Sequence, residues 1–184
     1  MADPWLVPVR SLRRVVGSTH HEHRCGRLGQ LSVADTLVAA DAMVDADVTL
    51  SAIHGGVEVS GRVSAPFTGR CRRCGRVLDG DVVTEVREVY RTRSARQSDG
   101  QDDEETYQLG PDHLDLAPMV RDAVLLDLPI APLCRPECLG LCDRCGADRN
   151  VESCTCTAER RDDRWAALDV LRQPPGTAPT SPRS

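Results

Sequence analysis

The sequence of 184 residues contains no lysine, so all 23 of its basic residues are arginine. A GC-rich coding bias accounts for most of this, and it masks any preference for planar, bidentate phosphate contacts. Aromatic residues are also scarce, at 3% with a single Phe, which leaves Val, Leu and Ala to build a core. No apolar run approaches a membrane span, and residues 1–30 hold none of signal-peptide length, so a cytoplasmic protein is expected. Gly-rich phosphate loops, a nucleophile elbow, His-Glu-x-x-His and a paired-carboxylate arrangement are all missing. Together these absences predict a non-enzymatic chain without a small-molecule substrate. The formal net charge of -5 argues against coating nucleic acid over the whole surface, while leaving room for local basic patches.

What the chain does have is cysteine, nine residues of it. An odd number cannot pair completely within one chain, and a reducing cytosol disfavours a disulfide framework. Two segments are near copies: Cys71-Arg-Arg-Cys74-Gly75 and Cys142-Asp-Arg-Cys145-Gly146. Two intervening residues bring both thiolates to one tetrahedral centre, and a following glycine takes positive φ without steric cost. Cys134 and Cys138 precede the second knuckle, and Cys154 and Cys156 follow it. The preferred partition groups Cys142, Cys145, Cys154 and Cys156 in one site, closed by a short loop. Cys71 and Cys74 then join Cys134 and Cys138 in another, which needs long-range folding. Both sites are expected to hold Zn²⁺. An all-cysteine site leaves no open position for water, so the metal would be structural rather than catalytic. Buried free cysteine is the plainer alternative, and a C-x-x-C redox pair is another. His20, His21, His23 and Cys25 could bind metal, but a solvated loop is the expected state of that stretch.

Val48, Leu50 and Ala52 alternate with polar neighbours, as do Val57, Val59, Val63, Ala65 and Phe67. With DVVTEVREVY they predict an antiparallel meander that buries one face. Residues 4–16 could add an edge strand. Residues 94–112 are polar and acidic, and read as a flexible loop. Asp115 is a plausible N-cap for a helix with Pro118 in its first turn, which Pro129 would stop and which would cover the sheet. A short helix is expected from Asp162 or Asp163, with Trp165, Leu168 and Leu171 on one side. The predicted fold class is α+β, a meander covered by a helix with a Cys-rich zinc-binding segment. The expected organisation is 1–93 β-rich, 94–112 loop, 113–172 helix with zinc segment and short helix, and 173–184 disordered tail.

The order of C-x-R-C on a meander, an acidic gap, DLAPMVRDAVLLDLPIAPLC, RPECLGLCDRCGADRN and DDRWAALDVL resembles the YceD family, associated with accumulation of large-subunit ribosomal RNA. The resemblance implies a role in making or maintaining the large ribosomal subunit. Relatives commonly place His-x-His at the position of Cys154-Thr-Cys156, an interchange that zinc ligands permit. Asp163 stands where proline is usual, and Gly75 where leucine is usual. Expected partners are a large-subunit precursor, ribosomal RNA or a ribosomal protein, with no membrane involved. Arg72, Arg73 and Arg76 are the candidate RNA-binding residues, with Arg160, Arg161 and Arg164 as a second group. The rival expectations are a thiol-based metal or redox sensor and a zinc-ribbon DNA-binding regulator.

Overall fold

A computed structural model describes residues 3–92 and 106–156, together with Arg164 and Leu168. The chain forms two compact units, residues 1–140 and 141–184. The first unit holds every named strand and the helix. Its centre is three antiparallel strands: β5 (Val44–Ile53), β6 (Gly56–Arg70) and β7 (Val77–Arg91). The expected meander is present, with β6 and β7 extending to 15 residues each. Alternation drives it: Val57, Val59, Val63 and Ala65 of β6 are buried, whereas Glu58 and Arg62 reach the other face. Gly61 lies on the buried side of that alternation, where β5 passes so close that a Cβ would meet Val48 Cα at 2.7 Å. A bare backbone is therefore needed at this crossing. Farther along, the ring of Phe67 lies over Gly80, its cross-strand partner.

β2 (Thr19–Gly26) adds to β5 as an outer strand, in register from Thr19 opposite Ser51 to Gly26 opposite Val44. The solvated loop expected for the His-rich stretch is therefore corrected. The strand is polar on both faces and shows no apolar alternation, so only its backbone pairing declares it. Its histidines meet carboxylates, His21 with Asp47 at 2.6 Å and His23 with Asp45 at 3.3 Å. β3 (Leu31–Val33) and β4 (Thr36–Val38) form a small hairpin attached to β6 through Leu37 and Thr68. Of residues 4–16, only β1 (Leu6–Pro8) is a strand, and it pairs with β9 (His113–Asp115) in a separate two-stranded sheet.

The expected flexible loop needs a second correction at its end. β8 (Tyr107–Gln108) pairs in parallel with Tyr90 and Arg91, and Leu109 is buried; residues 93–105 lie outside the described residues. The rings of Tyr107 and Tyr90 stack with centroids 5.1 Å apart, which fixes this short strand against the sheet.

The helix α1 (Ala117–Asp127) packs Met119, Val120 and Val124 into the core with Val57, Val59 and Val86. Each such fully buried aliphatic side chain contributes about 1.5–3 kcal/mol. Leu116, rather than Asp115, occupies the N-cap position. Asp115 still reaches the first turn, since its Oδ1 accepts the Ala117 N–H at 2.9 Å. The helix ends at Asp127 with Leu128 as its C-cap, one residue before Pro129, as the restriction on residues preceding proline requires. Among the described residues no helix is long and apolar enough to cross a membrane. The short helix expected near Asp162 and the tail 173–184 lie outside the described residues, Arg164 and Leu168 excepted.

Candidate metal centres

The β6–β7 hairpin ends in the first cysteine knuckle. Arg70 closes β6, Val77 opens β7, and residues 71–76 turn the chain between them. The Cys71 N–H donates to Arg76 O and the Gly75 N–H to Cys71 O, both at 2.8 Å, with Gly75 at φ 71°. The second knuckle repeats the pattern. The Cys142 N–H donates to Ala147 O at 2.8 Å and the Gly146 N–H to Cys142 O at 2.9 Å, with Gly146 at φ 75°. Positive φ at both glycines is the conformation that a glycine after C-x-x-C supplies at no steric cost.

After α1 the chain returns to the first knuckle. Buried Thr36 donates its hydroxyl to Pro129 O at 2.7 Å, and the Arg72 N–H donates to Pro132 O at 2.9 Å. Cys134 and Cys138 thereby meet the hairpin tip. The Sγ atoms of Cys71 and Cys138 are 3.8 Å apart, and those of Cys74 and Cys134 are 3.7 Å apart. Four sulfurs at about 2.3 Å from one tetrahedral zinc stand about 3.8 Å from each other. All four ligand atoms lie within 4.8 Å of one another, and so do those of Cys142, Cys145, Cys154 and Cys156. In the second unit, Leu141 bridges Asp148, and a turn held by Asp148 sends the chain back with Cys154 and Cys156. The structure thus brings together the two quartets of the preferred partition, the first of them by long-range folding, while Cys25 stands apart on β2.

The donor set suits a thiolate-binding cation such as zinc. Backbone N–H groups, those of Cys134 and then Cys74 foremost, lower the Cys71 thiol to about 6. The N–H groups of Cys145 and Arg144 do the same for Cys142, also to about 6. Each quartet therefore contains one sulfur ready to bind as thiolate at neutral pH. Burial pushes Cys134 up to about 12, and hydrogen bonding with the Cys145 sulfur, followed by burial, does so for Cys156. A cation would have to displace those protons. The quartets differ in exposure: Cys71 and Cys138 are each 2% exposed, whereas Cys145 and Cys156 are exposed.

The three candidate RNA-binding arginines are not equivalent. Arg72 and Arg76 are exposed at the hairpin tip. Arg73 instead donates from Nη1 to Pro136 O at 3.1 Å and to Cys138 O at 2.8 Å, bracing the return segment across the knuckle. Its role in this structure is to hold the site together. Arg160 and Arg161 lie outside the described residues. The brace was not legible in the sequence, because it needs the long-range meeting of residues 73 and 138.

The chain is similar to proteins of one family. The profile described as "Large ribosomal RNA subunit accumulation protein YceD" matches residues 59–172. An uncharacterized protein of Mycobacterium tuberculosis is 31% identical over 178 residues, covering 95% of this chain and 84% of its own. An uncharacterized protein of Mycobacterium leprae is 27% identical over 147 residues, covering 80% and 67%. A chloroplastic protein of Arabidopsis thaliana, named large ribosomal RNA subunit accumulation protein YCED homolog 1, is 35% identical over 60 residues, or 33% of this chain and 19% of its own. No solved structure matches.

Proposed function

The chain belongs to the YceD family, and from that premise we propose that it is a zinc-stabilised, non-enzymatic cytoplasmic protein that supports accumulation of large-subunit ribosomal RNA. The observation that carries the zinc part is the pair of four-sulfur groups, spaced for a tetrahedral ion and furnished with backbone N–H groups. Zinc fills every ligand position with thiolate, so it ties segments together and offers no site for substrate. In the first group the tie is long-range, joining the hairpin tip to the segment beyond α1.

Exposed Arg72 and Arg76 beside the first metal group supply the surface for RNA phosphates or for a ribosomal assembly intermediate. Four thiolates on a divalent zinc carry a formal charge of about −2, which these cations also offset. The test is depletion followed by quantification of ribosomal RNA, with sucrose-gradient sedimentation at low salt. Large-subunit RNA should fall relative to small-subunit RNA, and the protein should travel with large-subunit precursors. A normal RNA ratio, with the protein confined to the free pool, would reject the assignment.

Exposed Cys145 and Cys156 favour a second reading, in which the thiols of the outer group report oxidant. That reading expects metal release under mild peroxide while the first unit stays folded. Metal retained with unchanged partner binding would eliminate it.

A further inference from the structure

β7 is paired along its whole length by β6 on one side, but on the other side β8 covers it only at Tyr90 and Arg91. Among the described residues, Val77–Val89 therefore presents an open backbone edge. Beside this edge, between β7 and α1, lies a cleft of about 200 Å³. Val86, Met119, Ala123 and Leu126 give it an apolar floor, and Leu126 is 88% exposed. Its rim is acidic, with Glu88, Asp122 and Asp127, while Glu85 and Arg87 turn to the opposite face of β7, toward Arg62 and Glu58. The one cation in the lining, Arg87, is engaged by Glu58. Glu85 has only a distant pairing with Arg62, at 3.9 Å. Glu88, Asp122 and Asp127 have no cationic partner within ion-pair distance among the described residues; Asp122 accepts a hydrogen bond from Tyr107 OH at 2.8 Å.

We propose that this edge and cleft form a docking site for an extended, basic segment of a partner protein, bound as an added strand beside β7. Main-chain hydrogen bonds to the open edge would give such a segment affinity. Alternate side chains would enter the cleft, with apolar groups on Leu126 and basic groups on the rim. Charge decides the occupant. A carboxylate fence repels phosphate, which disfavours nucleic acid, and it repels the same edge of a second copy. The chain's own stretch 93–105 carries five acidic residues against two arginines and is like-charged as well. β8 shows that this edge accepts a parallel strand. The inference does not depend on the ribosomal reading.

The probe is a short acetylated peptide alternating lysine and valine, titrated into the full chain by fluorescence anisotropy, with amide hydrogen exchange mapped on β7. Saturable binding that weakens with salt, and slowed exchange from Thr84 to Glu88, is the expected result. Charge reversal by Glu88→Lys with Asp127→Lys should weaken binding about tenfold, with the far-ultraviolet circular dichroism unchanged. Should that pair fail to fold, Leu126→Ala, at a fully solvated tip of the floor, should still weaken binding several-fold. An alternating glutamate–valine peptide should not bind. The proposal is overturned by absence of saturable binding, by equal affinity for the variants, or by protection outside β7 and α1. It is equally overturned if a short RNA, or a second copy at high concentration, protects the same amides.

Discussion

Replacing Cys138 with Ser removes one sulfur from the buried quartet and, on the zinc reading, should empty it. The size of the effect follows from chain connectivity. Cys71 and Cys138 are 67 positions apart, and the bound ion closes that loop. Treating the closure as a cross-link, the entropy withheld from the unfolded chain corresponds to about 4 kcal/mol. At this chain size, each kcal/mol shifts the midpoint by roughly 2–4 °C, so the first unit should melt roughly 10–15 °C lower. Elemental analysis of Cys138→Ser should show one zinc per chain instead of two. The matched control is Cys156→Ser, which should also lose one zinc but leave the melting of the first unit in place, because its loop closes within residues 141–184. Thermal scans at fixed protein concentration, with metal content measured on the same samples, decide the matter. Undiminished zinc in Cys138→Ser, or an unmoved first-unit transition after its loss, would refute the reasoning.

Gly61→Ala should destabilise the fold by about 2–3 kcal/mol in urea titration, because the new Cβ is driven into the β5 backbone at Asp47 and Val48 and backbone has no rotamer with which to retreat. Arg73→Ala should cost about 1–3 kcal/mol and loosen the first metal site, since it deletes the donor to two carbonyls. Arg72→Ala should spare stability while weakening RNA association, and equal effects of the two would contradict the division of roles drawn between them. Acidification should release metal. The bound state requires thiolates, whereas protons return first to Cys134 and Cys156, whose thiols sit at about 12, and last to Cys71 and Cys142, at about 6. Binding therefore expels about two to three protons at each quartet, and apparent affinity should fall by about two to three decades per unit as pH drops from 8 to 6. A pH-independent affinity in a competition titration would count against all-thiolate ligation.

The meander was legible because Val48, Leu50, Val57 and Val59 alternate with polar residues, and one buried face leaves that trace in composition. α1 was legible because Met119, Val120 and Val124 follow helical spacing and Pro129 sets its end. The pairing of Cys71 and Cys74 with Cys134 and Cys138 followed from counting thiols rather than from any local pattern. β2 escaped notice for a physical reason. An outer strand bearing His20, His21, Glu22 and His23 is held by its backbone register with β5, and backbone pairing is not encoded in side-chain polarity. β8 was likewise hidden in an acidic stretch, where only Tyr107 and Leu109 marked a buried contact. The bracing role of Arg73 required knowing that residue 138 comes within reach of it.

The long separation within the first cysteine group has a consequence for biosynthesis. A ribosome adding about 5–20 residues per second releases Cys71 and Cys74 several seconds before Cys134 and Cys138 follow. During that interval the nascent hairpin carries a half-site of two thiols, too few to retain an ion against cellular chelators. The second group emerges as one short run and can load as soon as it is exposed. On the zinc reading, metal capture by the nascent chain should thus finish nearly together at both groups. Until then the hairpin tip carries two unguarded thiols, and on that reading newly made protein should be more vulnerable to oxidant than metal-loaded protein.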